Sequence, residues 1–558
     1  MTKQTFIKGA MILLAAGVIN RILGFVPRIA LPRVIGAEGV GLYQLCYPFL
    51  GVLLTLITGG IPVAVAKWVA EAESQGDSNK VRQIFRTAMG LTITLALLMT
   101  GTMLVSAKWI TTRVLTDPRV YEAFLVMTPM LLIIGISSVY RGYFQGRQNM
   151  IPTAQSQVVE TILRIAAQLT LAALLLPMGL QWAAAGAMMG TVLGEVAALA
   201  VMLVHARKDR RDYRPADPQD GPGADLATGD LLNLGTTAVL KVNLPAPGVK
   251  SSGSVPLKPV EAKHRGRRAP LLRRLLRLSM PITGSRLVGS LSYLVESILT
   301  VRSLATAGIA IGAATAQYGA LQGMILPLIL LPTALTYSLS VSLIPSLSSA
   351  AARGDRAAIH KRLHQSLRLS LVCGAPFVVI MGLLAEPLVR LLYNHAEIAP
   401  LLALLAPAGI FIYLQGPLQA TLQALDKPGI ALMNTMVGAA VKLFLIVELT
   451  SRPELGIYGA VIAITVNYIL VTLLHGISVL RISGYRMKLP DFIKVGAAMI
   501  IMGAACRWIM SHHPLTLEWI GLLVACATSA LIYILLMAIM GIIDRHDLQR
   551  IPGIGRWF

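Results

Sequence analysis

Charge is scarce in this chain: Asp, Glu, Lys and Arg make up only 13% of 558 residues, while 55% are hydrophobic. That balance excludes a soluble globular body, which needs far more polar surface around its core. Cysteine is scarce too. Cys46, Cys373, Cys506 and Cys526 stand singly in apolar stretches, so neither a disulfide framework nor a metal box is encoded. They read as small buried hydrophobes. A catalytic constellation is missing as well, since no Ser/His/Asp cluster and no phosphate-cradling glycine loop falls in a suitable context. His475 lies alone near a helix end, with His512 and His513 in a loop, and these suit interfacial side chains. No metal, no cofactor and no enzymatic activity are expected.

What the sequence does contain is a succession of apolar runs. Segments of roughly 20 residues, the length that crosses hydrocarbon, fall at 7–34, 40–66, 86–107, 122–144, 152–176 and 182–205. After a polar gap they resume at 274–301, 319–349, 366–389, 399–424, 429–450, 456–480, 490–510 and 518–542. The expected fold is an all-α polytopic membrane protein with about 14 spanning helices. Lys3 and Lys8 precede the first run. That run is too long for a secretory h-region and no small-residue cleavage site follows, so it reads as a retained span.

The net charge of +23 would point to nucleic acid in a soluble protein. Here the basic residues cluster between apolar segments, which instead predicts loops facing anionic membrane lipid. With both termini in the cytoplasm, the cytoplasmic side holds about 36 of the 49 Lys and Arg, against about 8 on the other side. The gap at 207–270 opens with Arg207-Lys208-Asp209-Arg210-Arg211, is rich in proline, and closes with Lys263-His264-Arg265-Gly266-Arg267-Arg268. It has too little apolar content for a core, and a disordered cytoplasmic linker is expected.

An internal repeat divides the rest. A displacement of 278 sets Pro129 on Pro407, Gln145 on Gln423 and Arg164 on Lys442, and one of 269 sets Lys8 on Arg277, Met11 on Met280 and Arg33 on Arg302. Both pair helix one with helix seven, or four and five with ten and eleven, as in a parallel repeat about an axis along the membrane normal. The expected layout is a six-helix lobe at 1–206, the linker, a second six-helix lobe at 271–481, and two additional helices with a tail at 482–558. The two lobes would be pseudo-symmetric around a central cavity.

Charges inside spans carry the functional signal, because one at the bilayer centre costs at least about 2.5–3.5 kcal/mol. In helix one, Gly17, Arg21, Gly24 and Arg28 share one face by helical periodicity, with Pro27 and Pro32 able to interrupt the helix beside it. Two guanidiniums on one face repel unless water or an anion lies between them, so the face predicts an anion site on a wet cavity. Arg28 alternatively marks the interface by snorkelling. Helix seven offers Thr283, Arg286, Ser290, Tyr293, Glu296 and Thr300 on one side. Arg286, Tyr293 and Glu296 are expected to line the same cavity, the alternative being ion pairs that only fix packing. At the four–five turn, Arg141 and Gln145 precede Glu160 and Arg164, whose i, i+4 spacing allows a pair. These four are the candidates for a gate or entry, the alternative for Arg141 being a plain interface anchor at lipid phosphates. Gly186, Gly190 and Gly194 read as a close helix-packing face. Glu195, Lys442 and Asn467 are polar positions within spans to which no role is assigned.

These residues resemble a known family. Asn20-Arg21-Ile22-Leu23-Gly24-Phe25 with Arg28, the loop Ile35-Gly36-Ala37-Glu38-Gly39-Val40-Gly41-Leu42-Tyr43, the turn Arg141 to Gly146, and Ile344-Pro345-Ser346-Leu347-Ser348 are similar to the stage V sporulation protein B family. That family lies in the polysaccharide-exporter branch of the MATE-like MOP superfamily, beside the lipid II flippase MurJ. The resemblance implies a flippase in the bacterial cytoplasmic membrane. It would carry an undecaprenyl-pyrophosphate-linked saccharide, lipid II or a similar cell-wall or spore-cortex precursor, by alternating access. Coupling would be to membrane potential or an ion, in a monomer working beside cell-wall synthesis proteins. Arg21 matches the first cavity arginine of MurJ-like proteins, whereas the second is displaced by one residue, turning Arg28 by about 100°. Alternatives are a flippase for another lipid-linked polysaccharide repeat unit and a MATE-type drug/cation antiporter. The antiporter would present carboxylates where helix one has arginines.

Overall fold

The computed structural model describes residues 16–17, 19–212, 268–485, 489–512 and 518–542. Most of the proposed linker, both chain ends and His513 lie outside these residues. Every regular element among the described residues is a helix. Among the helices of the first half are α1 (Phe25–Thr58), α2 (Ile61–Ser74), α3 (Ser78–Trp109), α4 (Met130–Gly146), α5 (Ile151–Leu175) and α6 (Leu180–Asp212). The second has α7 (Arg268–Thr306), α8 (Ile311–Gly319), α9 (Thr333–Ala352), α10 (Arg356–Leu383), α11 (Gly409–Ala424), α12 (Pro428–Thr450) and α13 (Ile457–Ser483). Then come α14 (Leu489–His512) and α15 (Glu518–Ile539).

Thirteen described segments are long and apolar enough to cross a membrane. The first, Ile19–Ser74, has 56 residues and would reach about 84 Å if straight, against about 30 Å of hydrocarbon. It is not straight. Gly36 adopts φ 66° and ψ 179° inside α1, a conformation open to glycine at little steric cost. A second bend falls at Gly59-Gly60, where Ile61-Pro62 restarts the helix with proline in the first turn, as its fixed φ favours. The eighth expected span likewise starts earlier than 319 and is bent. It runs through α8, a π-helical stretch Ala320–Ile325 and Leu326–Leu330, then resumes as α9 after Pro332.

Local backbone signals recur 278 residues apart. Gly76 and Gly354 both have φ of 69°, Thr116 and Asn394 both 62°, and Gln148 and Asp426 57° and 58°. Asp77 caps α3 by accepting from the Lys80 amide at 2.9 Å, and Asp355 caps α10 by accepting from the Ala358 amide at 2.9 Å. Each carboxylate satisfies a first-turn donor that a helix leaves open.

The largest buried apolar cluster crosses the two halves, joining Leu42, Leu45 and Phe124 to Tyr318, Leu321 and Met324. Thr315 donates from α8 to the Asp117 carboxylate at 2.8 Å. Arg119 bridges Asp117 at 2.9 Å and Glu38 at 2.7 Å, and a side chain on Gly312 would strike the Glu38 carboxylate and crowd the Arg119 guanidinium. Arg33 donates to the Leu392 carbonyl at 2.7 Å and to that of Leu391, while Arg302 donates to the Arg113 carbonyl. Residues α14 and α15 contribute, including Met502 and Met537, pack with Leu371 and Val379 of α10, and the Tyr533 hydroxyl donates to the Val372 carbonyl at 3.2 Å.

Candidate functional site

Helix one runs into α1 beside two adjoining cavities of about 510 and 660 Å3. Gly24, Arg28, Arg164, Pro327 and Leu330 border both, so together they form one furrow. Arg21 lines one end with Asn20, Thr336, Gln415 and Gln419. Tyr43, Gln44, Tyr47, Gln168, Ser290, Tyr293 and Gln322 line the other. Arg21 and Arg28 are separated by seven residues, or about 10 Å along a helix. Both halves of the chain supply walls, and among the described lining residues there is no Asp or Glu.

The three arginines are held differently. Arg21 donates through Nη1 to the Ala334 carbonyl at 3.0 Å, reaching across to the second half. Arg28 makes no hydrogen bond or ion pair among the described residues, and its exposed side chain faces both cavities. Arg164 approaches Glu160 at 3.7 Å, the expected i, i+4 neighbour. Arg141 lies 3.9 Å from Glu160 and 4.0 Å from Glu195. This four-charge cluster is looser than hydrogen-bonded pairs, and its Arg141 Nε, Arg164 Nε and one Glu195 oxygen are buried without hydrogen bonds.

The furrow thus gathers Arg21, Gly24, Arg28 and Tyr293, and adds Arg164 from the predicted entry group. Other candidates sit elsewhere. Arg286 donates to the Gly59 carbonyl at 2.8 Å, at the bend between α1 and α2. Glu296 is buried against Lys442 at 2.5 Å, and Gln322 donates to its other oxygen at 3.3 Å. Arg141 is half-buried between its two carboxylates, and Gln145 is half-buried near the end of α4, outside the furrow's lining. The glycine stripe of α6 lies directly on α5: side chains at Gly186, Gly190 and Gly194 would run into Leu171, Gln168 and Arg164. Sequence reading missed the neutral polar walls. Gln44, Gln168, Gln322 and Gln415 carry no charge that would single them out inside a span, and only their amides within apolar runs hint at a wet face.

Residues 6–215 match the family described as polysaccharide biosynthesis protein. Over 557 residues the chain is 38% identical to stage V sporulation protein B of Bacillus subtilis (strain 168), spanning 100% of this chain and 99% of that one. It is 24% identical to the lipid II flippase MurJ of the same organism over 584 residues, covering 99% and 98% of the two chains. A solved structure of lipid II flippase MurJ in an inward closed conformation shares the fold, with a TM-score of 0.66 at 13% identity over 95% of this chain and 99% of that one. A polytopic helical membrane protein related over its whole length to a sporulation protein, this chain belongs to the stage V sporulation protein B family.

Proposed function

We propose that this protein is a flippase that moves an undecaprenyl-pyrophosphate-linked saccharide, lipid II or a similar cell-wall precursor, across the membrane by alternating access. The observation that carries this reading is the furrow bordered by Arg21, Arg28 and Arg164 with no carboxylate on its walls. Guanidiniums present fork-shaped donors and a permanent charge, which suit diphosphate oxygens. A diphosphate between Arg21 and Arg28 relieves their repulsion, and the amide and phenol groups offer partners to a sugar. A cation antiporter fits these walls poorly, because a cation needs the carboxylates they lack. The name of the Bacillus subtilis MurJ relative supports the same substrate class.

In this reading, fourteen crossings are arranged as two six-helix lobes, 1–206 and 271–481, followed by two additional helices at 482–558, with both ends of the chain in the cytoplasm. Ile19–Ser74 counts as two crossings hinged at Gly36. The lobes rock about the furrow, and outward movement of one negative charge against an inside-negative potential gains about 2.3 kcal/mol per 100 mV.

The test is an accessibility assay of fluorescent lipid II in proteoliposomes holding the purified full chain. Transport is expected with the wild type and slowed at least about tenfold with Arg28→Ala, while the variant remains monodisperse. A variant that flips at the wild-type rate would sink the assignment.

A further inference from the structure

A third cavity, of about 380 Å3, lies apart from the furrow where the ends of α2, α4 and α6 meet the start of α3. Three guanidiniums and two carboxylates border it, and the carboxylates are both engaged by one arginine. Arg147 donates through Nε to Glu73 at 2.9 Å and through Nη1 to Asp209. Asp209 also accepts from the Tyr143 hydroxyl at 2.8 Å. Arg82 and Arg86 remain, one turn apart on α3 and exposed. Neither has a hydrogen bond or ion pair among the described residues, and the Tyr140 hydroxyl is equally without a partner there. The wall beside them is aromatic: Phe85 packs on Tyr140 with ring centres 5.1 Å apart and on Tyr143 at 5.2 Å.

Two cations and one hydroxyl around a bounded cavity, with their own carboxylates already committed to a neighbour, form a receptor for an anion. Arginine's planar fork matches the oxygens of a phosphate, which accept two parallel hydrogen bonds. The cavity sits at the tips of helices long and apolar enough to cross a membrane, and the ends of such helices are where lipid headgroups are met. The rings give a flat apolar surface for the carbon skeleton attached to that phosphate.

We propose that this cavity is a second anion site, separate from the transport furrow, that takes a phosphate mono- or diester. Arg82 and Arg86 are its fork donors and Tyr140 its hydroxyl donor. The phosphate comes either from an anionic lipid headgroup or from a soluble phosphorylated compound. Its binding ties the start of α3 to the ends of α2, α4 and α6, and so stiffens one end of the first half.

The experiment follows thermal unfolding of the purified full chain in neutral detergent. Phosphatidylglycerol, phosphatidylcholine or inorganic phosphate is added in turn. A saturable rise in Tm with phosphatidylglycerol and not with phosphatidylcholine identifies the lipid source, and the same rise with inorganic phosphate identifies the soluble one. In either case the midpoint should weaken by at least about tenfold in the double variant Arg82→Ala, Arg86→Ala, given the usual strength of hydrogen bonds to charged groups. Arg82→Lys with Arg86→Lys keeps the charge, loses the fork and should fall between, which covers the case in which the alanine pair does not fold. Arg353→Ala with Arg356→Ala, at exposed positions elsewhere, should respond as the wild type does. Equal responses of the wild type and the Arg82/Arg86 variants, or equal responses to the two lipids with none to phosphate, would overturn the site.

Discussion

Gly41 and Gly319 stand in the same relation to each other's helix. A side chain on Gly41 would strike the Thr315 carbonyl, and one on Gly319 would strike the Ala37 carbonyl. Thr315 follows Ala37, and Gly319 follows Gly41, by the same 278 residues that separate the paired left-handed positions. Arg33 and Arg302 add a second reciprocal contact, since each caps backbone carbonyls of the opposite half, at Leu391 and Arg113. Leu391 follows Arg113 by 278 as well. The halves therefore meet through matched glycines and matched arginines, and in the proposed rocking cycle this is the face that would close or part as a unit.

Gly41→Val and Gly319→Val should each weaken that contact. Forcing a side chain into a filled space typically costs about 1–3 kcal/mol, read as a fall in Tm in detergent. Because both substitutions part the same two helices, the double variant should lose less than the two single losses combined. Strict additivity would show that the two glycines act independently.

Replacing Arg33 and Arg302 together by alanine should favour the parted state. In a background where the four native cysteines are serine, Gln44→Cys places a reporter on the furrow wall. Its labelling by a membrane-impermeant maleimide from the face that holds Arg33 should rise several-fold. Unchanged labelling would mean that glycine packing alone keeps this face closed.

The Lys442–Glu296 pair, with side chains 13% and 7% exposed, should behave as a buried ion pair. Glu296→Gln leaves a buried ammonium without its counter-charge, and such losses run at about 3–5 kcal/mol. Lys442→Met combined with Glu296→Leu should recover most of the stability in thermal unfolding. If the double variant transports lipid II normally, the pair serves folding rather than transport.

Within the furrow, Arg21→Ala should reduce flipping less than Arg28→Ala. Arg21 already donates to the Ala334 carbonyl, whereas Arg28 has its donors directed at the cavity. Loss of two charge-assisted hydrogen bonds from Arg28 predicts at least about a tenfold drop in rate. Initial rates in proteoliposomes, normalised to inserted protein, decide the order.

Much was legible before any coordinates. The apolar runs dictate a helical membrane protein, because a backbone in hydrocarbon must satisfy its own hydrogen bonds. The Arg21–Gly24–Arg28 face and the Glu160–Arg164 neighbours follow from helical period alone. The repeat was visible at Pro129 and Pro407, and Gly76-Asp77 against Gly354-Asp355 offered a stronger match that composition and hydropathy do not highlight. Local spacing could not say that Arg286 would reach the Gly59 carbonyl, that Glu296 would meet Lys442, or that Arg164 would turn into the furrow beside Arg28. Those partners lie more than a hundred residues away. Which of them a charged side chain finds depends on how helices pack through space, and packing is decided by the whole set of apolar and glycine surfaces at once. The sequence alone determined the solvent this protein lives in and the helix face that bears its arginines. The tertiary structure alone decided which charges were neutralised by neighbours and which were left facing a cavity.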